Sequence, residues 1–247
     1  MFKGIRVGVV IPALNEEESI GLVVRDIYSQ HNEDGTQIVD DVVVCDNGST
    51  DSTARVAKEA GATLVSDRKK GYGRACLTAI EAIRKQSPGI VVFTDGDHAF
   101  DANDIPTMLN SIDQGADLVI GSRTLGNCEP GALSVAQRIG NRVATALIGL
   151  LWGVTITDLG PYRAIRTTAL DRLCMRDEAF GWTVEMQVKA IKMDMRIVEI
   201  PVNTRVRLGY SKISGTFKGV ILAGTAILLK IIQLRIFNPS TSSVHFP

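Results

Sequence analysis

The chain has 247 residues, 45% hydrophobic and 22% charged, enough for one large α/β domain or a domain with a small appendage. Its 27 basic and 27 acidic residues cancel, so no global field recruits nucleic acid and an anionic ligand must be met by local clusters. The four cysteines, Cys45, Cys76, Cys128 and Cys174, form no CxxC pair; this argues against a zinc site and a disulfide framework and is what reduced cytosolic thiols show. The first residues do not read as a secretory leader. Two later apolar stretches, 143–157 and 219–229, fall short of the about 20 residues that cross a bilayer.

In chain order, residues 5–11 are an apolar, β-branched run that predicts a buried parallel strand. Asn15 with Glu18 reads as an N-cap and capping box opening a helix to about residue 30. A strand at 41–45 precedes a helix capped by Asp51 and ended by Gly61. Residues 63–65 predict a short strand, 72–85 a helix, 90–94 a strand, 104–113 a helix and 116–121 a fifth strand. Strands alternating with helices imply a mostly parallel sheet with right-handed crossovers. From residue 127 the rhythm changes to a helix at 134–151, a loop region at 157–166, a helix around 183–192 and a strand at 196–202. A basic loop, an apolar helix at 216–235 and a polar tail from 238 complete the chain.

Ligands of parallel sheets sit beyond the carboxyl ends of the strands. Four loops there are unusual: Pro12-Ala13-Leu14-Asn15-Glu16-Glu17, Asp46-Asn47-Gly48-Ser49-Thr50-Asp51, Lys69-Lys70-Gly71-Tyr72-Gly73-Arg74 and Asp95-Gly96-Asp97-His98. Asn15 and Asp51 are equally well explained as helix caps. Carboxylates at i and i+2 of an extended segment project to one side, and Gly96 between them lets a bulky ligand approach the backbone. Such a pair repels unless a cation lies between, and oxygen ligands suit Mg²⁺ or Mn²⁺; the bland alternative is a solvated acidic turn. Gly71-Tyr72-Gly73 lacks GxGxxG spacing and no GK[ST] occurs, which disfavours a nicotinamide dehydrogenase and a P-loop enzyme. Arg68, Lys69, Lys70 and Arg74 flank either an anionic nucleotide or solvent.

PALNEE, DNGSTD, GYGRA, DGD and GSR at 121–123, in that order, resemble the family-2 glycosyltransferases of GT-A fold. Gly160-Pro161-Tyr162-Arg163-Ala164-Ile165-Arg166, WTVEMQ and EIPVNTRVRLGYSK are similar to segments of dolichyl-phosphate mannose synthases and bacterial polyprenyl-phosphate glycosyltransferases. The likeness spans about residues 5–215. It implies a Rossmann-like GT-A domain over 1–215, a C-terminal amphipathic helix at 216–236 and a tail at 237–247. It further implies a nucleotide-sugar donor, a lipid-phosphate acceptor and a divalent cation, Mg²⁺ or Mn²⁺, on Asp95 and Asp97. Pro12, Leu14, Glu16 and Asp46 would line the nucleoside, with Gly71 beside them. Asp95, Gly96 and Asp97 would meet the diphosphate, and Arg123, Arg207 and Lys212 the donor or acceptor phosphate. Three features depart from the family pattern: Asn47 stands where a second Asp is usual, Ala99 where a Gln often follows the DxD, and the segment 207–209 is one residue shorter.

A hydroxyl acceptor would need a general base, whereas a phosphate monoester oxygen is already anionic near neutral pH. The only candidate bases, Asp158 and Glu185, are as easily structural partners of Arg163 or Arg166, which favours a phosphate acceptor. The 216–235 helix suits an interfacial position on the cytoplasmic membrane face, or packing on the domain or in a homo-oligomer. A transferase using a hydroxyl acceptor, a sugar-nucleotidyltransferase and a non-catalytic nucleotide-binding protein are the competing readings. The nucleotidyltransferase would be expected to carry a GxGxR-type loop in place of PALNEE.

Overall fold

The computed structural model describes residues 1–209 and 217–236. Its frame is one seven-stranded sheet in the order β3-β2-β1-β4-β6-β5-β7. The strands are β1 (Val7–Ala13), β2 (Asp41–Asp46), β3 (Thr63–Ser66), β4 (Ile90–Phe93), β5 (Leu118–Ser122), β6 (Arg163–Arg166) and β7 (Ile197–Pro201). All neighbouring pairs run parallel except those of β6, which is antiparallel to both β4 and β5. The central strands read as unbroken apolar runs because both faces are covered. Val9 and Ile11 point into a layer with α1 (Ile20–Tyr28) and α4 (Ile105–Asp113). Val10 and Phe93 point into a layer with α3 (Tyr72–Ile83), α6 (Thr167–Leu173) and α7 (Trp182–Lys192).

Two elements depart from expectation. The segment 157–166, expected as a loop, ends in strand β6, and α6 follows it directly. Arg163 and Arg166 disguise the strand, since charge is rarely buried. Arg163 is nonetheless fully buried, its guanidinium donating to Gly160 O, Thr183 O and Gln187 Oε1 at 2.7–3.1 Å; burial pulls its pKa down to about 10. Asn15 does not cap a helix. It holds a left-handed backbone (φ +54°) that Asn tolerates, and its Oδ1 accepts from Thr50 N–H at 2.8 Å. The helix begins at Ile20 instead. Asp51 does bond the first turn of α2 (Thr53–Glu59) through Thr53 N–H, and Gly61 ends that helix at φ +100°.

Beyond the sheet, α5 (Val135–Trp152) and α8 (Phe217–Ile236) pack on each other, and α8 also packs on α7, around Ile148, Val184, Val188, Ile231 and Leu234. Ser134 forms the full capping box of α5 with Gln137. Among the described residues no helix is long and apolar enough to cross a membrane.

In the strand order, the chain leaves β1 toward β2 and β3, then returns to β4 on the other side of β1. The carboxyl ends of β1 and β4 therefore diverge and open a crevice at the switch point. Ile165, fully buried, is registered between Val91 and Leu118 across both antiparallel joints. Ile165→Ala should cost about 2–5 kcal/mol, read as a lower urea midpoint with an unaltered slope.

Candidate active site

The crevice holds a cavity of about 460 Å³. The end of β1 contributes Pro12, Ala13, Leu14 and Glu16; the β4 end contributes Asp95, Gly96 and Asp97; Lys70, Gly71 and Tyr72 come from the start of α3. Ala179 and Phe180 arrive from the α6–α7 turn and Arg207 from the segment after β7. The structure thus gathers Pro12, Leu14, Glu16, Gly71, Asp95, Gly96, Asp97 and Arg207 in one place. Lys212 lies outside the described residues.

Asp95 and Asp97 sit on a turn, not an extended segment, with His98 left-handed at φ +61°. The turn is clamped from α1: Ser19 Oγ donates to Gly96 O at 2.7 Å, and Asp26 bonds the His98 ring at 2.7 Å. His98 therefore has a structural post. Gly96 lines the cavity, and its missing side chain also serves this packing, because a Cβ would come within 3.2 Å of Ile20 Cδ1. Asp95 Oδ1 accepts from the Tyr72 hydroxyl at 3.0 Å. Asp97 Oδ1 accepts from Ala99 N–H at 3.1 Å, and its Oδ2 lies 3.2 Å from Arg207 Nη1. Arg207 also bonds Glu16 Oε1 at 2.7 Å, and its Nε is buried without a hydrogen-bond partner. Burial, then the adjacent Asp97 charge, raises the Asp95 pKa to about 7. Burial pushes the Tyr72 phenol well up, and the Asp95 charge adds to it, so the phenol stays a donor.

Two expected site residues stand outside the lining. Asp46 turns its Oδ1 to Ser49 N–H at 3.0 Å, closing its own loop. Arg123 forms a bidentate pair with the buried Asp158, at 2.8 and 2.6 Å, although its charge still reaches Asp95. Asp158 is thus the partner of Arg123 rather than of Arg163 or Arg166. Glu185 instead accepts from Arg176 and Asp177 N–H and pairs with Lys189.

The glycines of Gly71-Tyr72-Gly73 have a packing reason. A Cβ on Gly71 or Gly73 would fall 2.2 and 2.1 Å from the carbonyl oxygens of Glu178 and Asp177. Of the basic cluster beside them, Lys69 and Arg74 both pair with Glu178, while Lys70 faces the cavity. Asn47 spends its amide on the same region, donating to Asp67 O and Lys69 O and accepting from Gly71 N–H. An Asp there could not donate to two carbonyls. Sequence reasoning missed Tyr72, Ala179 and Phe180 as lining residues. Tyr72 was visible between its glycines; no local signal marks the other two, which a distant turn delivers.

Among the described residues no group of three His, Cys, Asp or Glu forms a ready-made metal cage. Two carboxylates with room for phosphate oxygens nevertheless fit Mg²⁺ or Mn²⁺, which take one or two carboxylates and complete their shell from substrate and water. The raised Asp95 pKa fits as well, since burial first and then the Asp97 charge disfavour an ionised carboxylate that a bound cation would favour. An acid whose folded pKa exceeds its unfolded value binds more protons when folded, so its charged form costs stability as pH rises through that window. Asp95→Asn should therefore raise the melting temperature at pH 8 and change it little near pH 4, in paired thermal scans. Tyr72→Phe removes one hydrogen bond to Asp95 while keeping the ring's edge contact with Trp182. It should weaken Mn²⁺ binding in the presence of nucleotide by about 1 kcal/mol, measured by calorimetry.

The sequence and the fold have counterparts among known proteins. The sequence model of Glycosyl transferase family 2 matches residues 8–174. An uncharacterized glycosyltransferase of Mycobacterium tuberculosis is 34% identical over 223 residues, 89% of this chain and 95% of that protein. A dolichyl-phosphate hexose transferase of Haloferax volcanii is 30% identical, covering 92% of this chain and 95% of that protein. Among solved structures, glucosyl-3-phosphoglycerate synthase from Mycobacterium tuberculosis, in complex with Mn²⁺, uridine diphosphate and glucosyl-3-phosphoglycerate, superposes with a TM-score of 0.71. At 21% identity, covering 96% of this chain and 82% of that one, it shares the GT-A-like fold. The strand order, the acidic turn and the matched sequence agree: the chain is a glycosyltransferase that belongs to glycosyl transferase family 2.

Proposed function

We propose that the protein transfers a hexose, with inversion, from a nucleotide-sugar of the GDP-mannose or UDP-glucose type to a polyprenyl or dolichyl phosphate. The carrying observation is the Asp95–Asp97 pair in one cavity with Arg207, whose Nη1 lies 3.2 Å from Asp97 Oδ2; we read it as a cation site beside a guanidinium that would meet phosphate. Pro12, Leu14, Glu16 and Gly71 would hold the nucleoside, with Asp46 fixing the loop beside it, and Gly96 would back the diphosphate. Asp95 and Asp97 would bind Mg²⁺ or Mn²⁺, which when bound stabilises charge on the departing diphosphate. Arg207 and Arg123 would add positive charge there, joined by Lys212. Relatives named dolichyl-phosphate hexose transferase and polyprenol monophosphomannose synthase support a lipid phosphate acceptor. So does the engagement of Asp158 with Arg123 and of Glu185 with Lys189, which leaves neither carboxylate free to act as base. The resemblance to glucosyl-3-phosphoglycerate synthase keeps a hydroxyl acceptor as the second reading.

A membrane-borne acceptor matches the outer face of α5 and α8. Val135, Ile139, Val143 and Leu150 of α5 and Leu229, Ile232 and Ile236 of α8 are exposed, Leu150 at 82%. Neither helix contains an acidic residue, and Arg138, Arg142 and Arg235 stand among these positions. We infer peripheral docking of this face on anionic headgroups at the cytoplasmic side.

Incubating the protein with radiolabelled UDP- and GDP-sugars, Mn²⁺ and polyprenyl phosphate should move label into the organic phase; label retained only on a water-soluble hydroxyl product would overturn the acceptor. Asp97→Asn should abolish that transfer with an unchanged circular dichroism spectrum. In flotation with anionic vesicles, Ile139→Asp with Leu229→Asp should leave the protein at the bottom of the gradient where the wild type floats.

A further inference from the structure

The turn that supplies Ala179 and Phe180 to the cavity is fastened to α8. Asp177 Oδ2 lies 2.7 Å from Lys230 Nζ, with the two side chains only 10% and 18% exposed. The Lys230 stem lies flat on Gly181, where a Cβ would come 2.8 Å from Cε and 3.0 Å from Cγ. Asp177 is held on every side. Its Oδ1 accepts from Ala179 N–H at 2.8 Å, and its own N–H donates to Glu185 at 2.7 Å. The turn then meets α3 through Gly73 N–H to Ala179 O and Arg74 N–H to Glu178 O, at 3.2 and 2.9 Å. Lys230 is therefore the link between a helix remote from the cavity and two residues that line it.

We propose that Lys230 is a positioning residue for nucleotide binding: through Asp177 it sets the Ala179–Phe180 wall, so that α8 governs donor affinity although none of its described residues lines the cavity. This rests on reading the cavity as the nucleotide-sugar site. Removing the ammonium leaves a shielded carboxylate without its counter-charge. Asp177 relieves this by turning toward water, which breaks its bond to Ala179 N–H and displaces the wall. Losing the pair would also lower stability, so the decisive readout is nucleotide affinity well below the melting temperature.

The test titrates UDP and GDP, each with Mn²⁺, into the full-length protein by calorimetry. Lys230→Met, which keeps the apolar stem, should bind the preferred nucleotide about tenfold more weakly, or about 1.4 kcal/mol. Lys230→Arg should restore most of the affinity. Asp177→Ala removes both the partner of Lys230 and the acceptor of Ala179 N–H, so it should reproduce the loss and serves if Lys230→Met does not fold. Phe180→Ala combined with Lys230→Met should lose less than the sum of the two single changes, because both act through one wall. A lowered melting temperature with unchanged nucleotide affinity in Lys230→Met and Asp177→Ala overturns the proposal alone. A wild-type protein that binds neither nucleotide overturns the donor reading and the proposal with it.

Discussion

Holding two carboxylates side by side at the buried end of a central strand is the costly arrangement around which this fold is organised. Left alone, Asp95 and Asp97 repel, and the protein mass around them cannot screen the repulsion as water does. Each neighbour offsets part of that cost. Tyr72 donates to Asp95, Arg207 pairs with Asp97, and Arg123 adds its charge at longer range. Ser19 fixes the turn itself by bonding Gly96 O instead of capping its own helix. Such a pair destabilises the empty protein, the trade against stability that functional sites make.

The same economy explains the glycines. A phosphate loop and a close backbone crossing both demand residues without Cβ, and sequence alone does not separate the two. Here the crossing is real, with the carbonyls of Asp177 and Glu178 seated on Gly73 and Gly71. Asn47 stabilises the approach from the opposite side with two donors and one acceptor. The departure from Asp at this position is therefore tied to the conformation of residues 67–71.

Much of this was legible beforehand because it is local. The run 5–11 and the run 90–94 announce buried parallel strands, and a DxD after the second announces where charge will gather. What was illegible is non-local. Arg163 and Arg166 concealed a strand because their charges are satisfied by carbonyls and an amide from elsewhere in the fold. Asn15 has the residue type and spacing of a helix cap, yet Thr50 N–H from the neighbouring loop claims its oxygen. Asp158 reads from the sequence as a base or a structural partner of Arg163 or Arg166, and only the fold shows that Arg123 engages it. Phe180 enters the cavity because α6 and α7 place it there, which no window of sequence contains.

Arg207 and Glu16 are 191 positions apart yet share one hydrogen bond. A chain made from its amino terminus presents both halves of the acidic pair long before the guanidinium that balances one of them exists. The cavity is thus completed late, when the segment beyond β7 closes back across the start of the chain. Until then the nascent protein carries its least comfortable charges uncompensated. A segment made late is thus what makes the first part of the chain tolerable.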